Sequence, residues 1–283
     1  MEKQTLEVTD ARLDARFAAQ CALHVVLGVE SLSILASTAT TLEVLALQTW
    51  LYKQPEQTFE SVEWNLRRIL RDELLVSMPF SQVRCAIFHP NTTLVPRRLF
   101  QHNALPDYFK LLLPASNYVY GYDEIPELDV FLVYATDPAL MRLSSEFFPK
   151  GRNRHLALPL LKYWWQQAAG NSYSVFVNFR HQMAQVAVFE RQNLLFYNVF
   201  PFSASSDLLY FILLVYDQFR INPVETPLTV AGNLLPDSEL YRILQRFIRE
   251  IRFGIPPADY SLPRESQVLP AHCYIDLFCL KNL

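Results

Sequence analysis

The sequence predicts a two-lobed α/β protein with mixed sheets, and three observations carry that prediction. The first is an internal repeat: from Ala22 to about Leu113, and again from Ser172 to about Arg252, the chain runs strand, strand, strand, amphipathic helix, strand, helix. The second is the strands, short apolar runs bounded by polar turns. The third is composition: 283 residues, 51% hydrophobic and 19% charged, which suffices for a sizeable core and excludes a disordered chain.

In the first copy, His24–Leu27 and Leu32–Leu35 flank a turn at Gly28–Ser31, and Glu43–Tyr52 makes a third strand. The helix that follows places Phe59, Val62, Leu66, Ile69, Leu70 and Leu74 on one stripe, with Glu60, Glu63, Arg67, Arg68 and Arg71 largely opposite. Val83–Phe88 is a strand, and Leu105, Tyr108, Phe109, Leu112 and Leu113 recur at helical spacing. Between the copies, Asp129–Tyr134 reads as a strand of a covered sheet. Asp137 and Pro138 start a helix as N-cap and first-turn proline. The polar link Lys150–Arg154 divides the chain into lobes 1–153 and 154–283, and a further helix spans Pro159–Ala169.

The second copy is cleaner. Strands Ser174–Phe179, Met183–Phe189 and Leu194–Phe200 precede a helix from about Ser203 to Arg220, apolar nearly all round and therefore placed between layers. Strand Leu228–Val230 follows, then a helix from about Pro236 to Arg249 with Leu240, Ile243, Leu244, Phe247 and Ile248 inward. Pro256–Pro270 is a loop, and Cys273–Leu280 is expected to return as a final strand. Only six glycines stand against 18 prolines, so turns fall to Asn, Asp, Ser and Pro, and loops that bring backbone close to a phosphate are scarce.

This order is that of a ribonuclease H-like unit, and two in tandem resemble the actin-like ATPase fold of actin, sugar kinases, Hsp70 chaperones and pilus-assembly ATPases. Asn91–Pro96, Asn198–Phe200 leading into Asp207–Tyr210, and Ala231–Asn233 ahead of Asp237–Tyr241 further resemble a family of bacterial proteins assigned to that fold. The resemblance covers nearly the whole chain and rests on structural junctions rather than on chemistry. It implies a nucleotide held between the lobes, with a phosphate loop of the form Asp-x-Gly between the first two strands of each lobe and a Gly-Gly loop at the adenosine.

At those places the sequence departs from the pattern. Gly28 and Ser31 remain in the first-lobe turn, but Val26 stands where the Asp belongs. In the second-lobe turn Asn178 replaces Asp and Arg180 replaces Gly; the adenosine loop keeps Gly232 beside Asn233. If a nucleotide binds, these six residues (Gly28, Ser31, Asn178, Arg180, Gly232 and Asn233) would touch it, with Arg180 or His181 meeting an anion. No catalytic or metal-ligating residue is expected, since a metal-binding carboxylate contributes roughly 3 kcal/mol or more to phosphoryl transfer and both are absent. No carboxylates converge on the first and fourth strands for a two-metal nuclease, and there is no G-x-S-x-G elbow or Walker-type loop.

The remaining signals are read blandly. Cys85 with His89 is a core cysteine before it is a nucleophile and base, and Arg242, Arg246, Arg249 and Arg252 form a solvated stripe. The four cysteines, Cys21, Cys85, Cys273 and Cys279, contain no CxxC and read as reduced buried thiols; His272, Cys273 and Cys279 are the one conceivable zinc grouping. Of the adjacent Trp164 and Trp165 only one can face a core, so the other packs between lobes or meets a partner. A net charge of −3 gives no drive toward nucleic acid, and the nine-residue apolar run Leu208–Tyr216 is far short of the roughly 20 residues of a membrane span. With no signal-peptide core at Met1–Val8, the expectation is a cytoplasmic protein without a cofactor. It would act as a scaffold or interaction protein with a protein partner or as a homodimer. The alternative is a nucleotide or other small anion, ATP with Mg²⁺ included, bound between the lobes with weak or no hydrolysis.

Overall fold

Three strands laid side by side, then a helical crossover to a fourth, form a unit that occurs twice. The computed structural model describes residues 2–52, 59–114, 117–151, 153–257, 260–262 and 270–283. The first part of the chain contributes β1 (Glu2–Thr9), the single turn α1 (Ala15–Ala18), β2 (Cys21–Gly28), β3 (Ser31–Thr38), β4 (Val44–Tyr52), α2 (Phe59–Asp72), α3 (Leu74–Ser77) and β5 (Gln82–Phe88). A small antiparallel sheet follows, of β6 (Thr92–Pro96), β7 (Val119–Ile125) and β8 (Val130–Thr136), then α4 (Pro138–Phe147), β9 (Arg154–His155) and α5 (Ala157–Gln167). The second unit is β10 (Tyr173–Arg180), β11 (Met183–Glu190), β12 (Asn193–Pro201), α6 (Ser205–Gln218), β13 (Leu228–Gly232), α7 (Glu239–Leu244) and β14 (Ile251–Phe253), and the chain closes with α8 (Ile275–Cys279).

The first sheet has the order β1-β4-β3-β2-β5-β9 and the second β12-β11-β10-β13-β14. Without β1 the two orders match strand for strand. Each is an antiparallel meander with two parallel strands added beside its first strand. Strand β2 is buried along its whole length and β3 along all but its last residue, as near-continuous apolar runs require when helices cover both faces. Helix α2 buries Val62, Leu66, Ile69 and Leu70 against the sheet. Its charged side meets α4 rather than open water: Glu63 takes Arg67 at 3.1 Å and also pairs with Arg142, while Arg67 reaches Glu146 at 2.6 Å. Helix α4 is capped as its sequence implies, Asp137 Oδ1 accepting from the Ala139 amide at 2.7 Å.

Several expectations are corrected. Leu105–Leu113 forms no α-helix: it makes a 3-10 turn at Pro106–Phe109, because the small sheet beneath needs only Phe109 and a few half-buried neighbours from it. The helix expected to Arg249 stops at Leu244 and leaves Phe247 half exposed, since the chain must turn back to bring Ile251–Phe253 beside β13. Cys273–Leu280 is helical rather than a strand, a 3-10 turn at Ala271–Tyr274 running into α8, and every residue from Ile275 to Leu280 is buried. Of the loop Pro256–Pro270, residues 258–259 and 263–269 lie outside the described residues. Its described part crosses to the first lobe, where the Ser261 carbonyl accepts from the Val44 amide at 2.9 Å. The chain passes to the second sheet only after α5, whose Trp164 is buried and stacks on Phe176 of β10 with ring centroids 5.6 Å apart. One indole of the tryptophan pair therefore joins the lobes.

Three buried histidines tie this core to pH. His155 Nε2 donates to the His89 carbonyl at 2.9 Å while its Nδ1 accepts from the Ala157 amide at 3.2 Å, so both nitrogens are used by the neutral ring. Burial holds His24 and His89 down to about 3 and His155 to about 4. Below the ordinary value of 6.5 the unfolded chain therefore binds protons that the folded chain refuses, and stability falls as pH drops from there toward 4. Asp137, raised by burial from 3.8 to about 6, and Asp123, also raised by burial, act in the opposite direction over part of that range. His181 and His272 are lowered by burial too, however, which sets five histidines against two carboxylates. The urea midpoint should therefore be lower at about pH 5 than at about pH 7, and replacing His155 by Gln should flatten that dependence.

Candidate functional site

Each unit has a turn between its first two strands, where the resemblance places a ligand, and the second of these turns lines the gap between the lobes together with Ser33 and Thr49 of the first sheet. In the first, Gly28 ends β2 and Ser31 opens β3, both buried. The Tyr52 hydroxyl donates to the Gly28 carbonyl, and the Tyr52 amide donates to the Glu30 carbonyl at 3.1 Å, so the end of β4 closes this turn from behind. Burial lifts the Tyr52 phenol well above its ordinary pKa.

In the second, β10 turns into β11 through His181, which takes a left-handed φ of 54° usually left to glycine or asparagine. Arg180, at the last position of β10, points inward and is only 6% exposed. Its Nη1 lies 2.8 Å from Asp276 Oδ2 on α8, and its Nη2 donates to Ser33 Oγ of β3 at 3.1 Å. The guanidinium also stands 5.9 Å from the centroid of the Phe88 ring at the end of β5. One side chain thus touches the second sheet, the first sheet and the C-terminal helix together. Burial, then the neighbouring Arg180 charge, pushes His181 down to about 3.

Gly232 occupies the position expected of the adenosine loop, with φ of 78°, and a Cβ there would lie 1.9 Å from the Phe179 carbonyl oxygen. Its role is close approach between β13 and β10. Asn233 is exposed at the rim, its amide donating to the Phe179 carbonyl at 2.9 Å and its Nδ2 to His181 Nδ1 at 3.4 Å. Asn178 is fully buried in β10 with neither side-chain amide atom hydrogen-bonded; across the sheet, Gln185 accepts from the Tyr197 hydroxyl at 3.0 Å and leaves its own Nε2 unpaired.

Of the six expected residues, Arg180 is the one that joins both lobes, and it does so through residues that the sequence did not offer as candidates. Ser33, Asp276 and Tyr274 belong to the site because the segment 271–282 packs between the sheets. The Leu277 carbonyl meets His24 Nδ1 of β2 at 3.4 Å, and His272 Nε2 donates to the Leu234 carbonyl at 2.8 Å on the opposite side. The signal available in the sequence was Asp276, a lone carboxylate inside an otherwise apolar run, which must find a cation if it is buried. What is left of the gap, lined by Ser33, Arg180, His181, Asn233 and Asp276 among others, measures about 20 Å³. That is room for about one water. Among the described residues no three His, Cys, Asp or Glu side chains come together so as to hold a metal ion. Cys85 is buried against Ser144 Oγ at 3.1 Å and its thiol is pushed up to about 12, which fits core packing rather than nucleophilic chemistry.

Comparison with known proteins adds the family. A model described as protein of unknown function (DUF3822) matches residues 10–251. The chain belongs to that family. No curated protein matches it in sequence. Among solved structures, the chain is similar to a Bacteroides thetaiotaomicron protein of actin-like ATPase fold and unknown function, at 20% identity over 86% of this chain and 94% of that one, with a TM-score of 0.75. It is also similar to a chain of the PilM–PilN type IV pilus biogenesis complex, at 10% identity over 92% and 98%, with a TM-score of 0.60. The fold of this DUF3822 chain is actin-like, as the tandem units implied. Among the described residues no helix is long and apolar enough to cross a membrane.

Two outcomes test this description. Asp276→Ala strands the Arg180 charge away from water and should cost about 3–5 kcal/mol in denaturant unfolding, whereas Arg180→Met with Asp276→Leu should cost far less. Gly232→Ala should cost about 2–3 kcal/mol by the same measurement, because neither its φ nor its space accepts a Cβ.

Proposed function

We propose that this actin-like protein has given up its nucleotide site and acts by holding another protein, as a scaffold or adaptor. The observation that carries the reading is the placement of Arg180. The residue that stands where a phosphate loop needs glycine is neutralised by Asp276 at 2.8 Å and bound to Ser33 at 3.1 Å, in a gap of about 20 Å³. A nucleotide does not fit these residues: its phosphates would need the donors that Asp276 and Ser33 already use, and its volume would need the space that Tyr274 and Leu277 fill. The metal-binding carboxylates are replaced by Val26 and Asn178. A protein partner is supported by analogy of fold, since one similar chain is part of a PilM–PilN complex. Four unpaired cysteines fit a reducing, cytoplasmic setting.

The competing reading, a small anion or nucleotide in the gap, draws on the unpaired amide of Asn178 and on Arg180 itself. Thermal unfolding with and without millimolar Mg-ATP or ADP separates the two. A ligand at about a hundred times its dissociation constant adds roughly 2.7 kcal/mol, a shift of several degrees at this size. We expect no shift. A shift of several degrees overturns the lost-site reading and directs attention to the displacement of α8.

A further inference from the structure

Strand β10 has two different faces. Val175 and Val177 enter the core beneath α6, while Ser174 and Phe176 point to the side where α5 lies. On that side Thr229 of β13 stands beside Phe176, and Arg252 of β14 beside Thr229, in the register of the sheet. Helix α5 covers Phe176 with Trp164 and stops short of the rest, leaving a cleft of about 490 Å³. Gln167 of α5 forms one wall and Glu225 another. Ile255 makes the rim, where its carbonyl accepts from the Tyr163 hydroxyl. The volume lies within the roughly 300–1,000 Å³ of small-molecule sites.

The polar groups of this cleft are unpaired. Ser174 is only 8% exposed, and among the described residues its hydroxyl has no hydrogen-bond partner. The Thr229 hydroxyl, the Gln167 amide and the Glu225 carboxylate, which share the cleft, have none either. A hydroxyl buried without a partner is destabilising, and four such groups around one space match a ligand that hydrogen-bonds on several sides. Charge narrows the class. Arg252 is engaged by Glu250, Nε to Oε1 at 2.7 Å and Nη2 to Oε2 at 2.9 Å. Glu225 and Glu250 thus stand against one guanidinium, a balance that disfavours phosphate and carboxylate ligands. An apolar ligand would cut the four polar groups off from water. A neutral polyol meets both conditions, since each of its hydroxyls donates and accepts and its carbon-bound hydrogens suit Phe176 and Ile255. We infer that this cleft is a binding site for a neutral polyhydroxylated molecule of saccharide type. It shares no residue with the gap that Arg180 closes, so it holds or fails independently of the proposed function.

Saturation-transfer difference NMR on the full chain tests this with glucose, N-acetylglucosamine, maltose and myo-inositol, each at millimolar concentration. At least one should take up saturation from the protein, and calorimetric titration then gives its dissociation constant. Ser174→Ala and Thr229→Val should each raise that constant about tenfold, for one hydrogen bond lost apiece. The urea midpoint of Ser174→Ala should not fall, because its hydroxyl has no partner within the chain to lose. Glu225→Gln, at an exposed position, replaces either variant that does not fold. No saturation of any of the four compounds overturns the site. Binding that is unchanged in the variants lies elsewhere on the protein and overturns it equally. Glucose 6-phosphate binding more tightly than glucose overturns the neutral class.

Discussion

Taking Arg180 and Asp276 out of water together costs free energy that only their contact and further hydrogen bonds return, and both are supplied. The guanidinium reaches Asp276 at 2.8 Å and Ser33 at 3.1 Å, and the second carboxylate oxygen of Asp276 accepts from the Leu277 amide at 2.8 Å. The three groups belong to the second sheet, the C-terminal helix and the first sheet, so their geometry is satisfied only when all three elements are in place. The placement of α8 between the sheets, the small volume left there and the docking of the tail at Ser261 are consistent with this one requirement. Arg180 Nε remains without a partner, a local cost that would favour apolar side chains if stability were all that the position served.

The repeat was legible because it is written in local pattern. Strands buried on both faces must be apolar throughout, as Val25–Leu27 and Val175–Val177 are, and α2 shows a 3.6-residue stripe. What the sequence did not disclose lies at long range. Asp276 is 96 residues from Arg180, and nothing around either names the other. Cys273–Leu280 was read as a strand because a short apolar run buried on every side has no period to tell helix from strand. The segment Leu105–Leu113 showed helical spacing, yet Leu111 and Leu112 end up exposed, since a stripe predicts a helix only when there is enough core to receive it. Strand β1 was missed for the complementary reason. It lies at an edge, pairs with β4 alone, and offers only Leu6 and Val8 as apolar residues among eight.

Glycine scarcity has a consistent structural outcome. Where tight turns need a left-handed residue, the chain uses Leu42, Asp129, His181, Arg191 and Arg220, each accepting strain that glycine avoids. A hairpin whose corner is Arg180–His181 cannot bring bare backbone amides to an anion as a glycine loop does. At Gly232 the Phe179 carbonyl leaves no space for a Cβ. Two of the residues inferred from the resemblance, Arg180 and Gly232, are engaged in contacts within the chain: Arg180 with Asp276 and Ser33, and Gly232 against the Phe179 carbonyl.

A segment of the same chain has an advantage over any diffusing ligand for the space between the lobes. The tail leaves β14, is fixed where the Tyr163 hydroxyl donates to the Ile255 carbonyl, touches the first lobe at Ser261 and returns at Pro270. Such tethering gives the C-terminal helix an effective concentration on the order of millimolar or more, without any new contact. A nucleotide present at millimolar levels would therefore gain nothing from abundance and would have to win on contacts alone. Its strongest possible contact, Arg180, is already opposed by a buried carboxylate at 2.8 Å. Displacement would expose Ile275, Leu277 and Phe278 to water and leave Asp276 without its cation. Closing the gap with its own C-terminal helix thus stabilises the lobes in one relation.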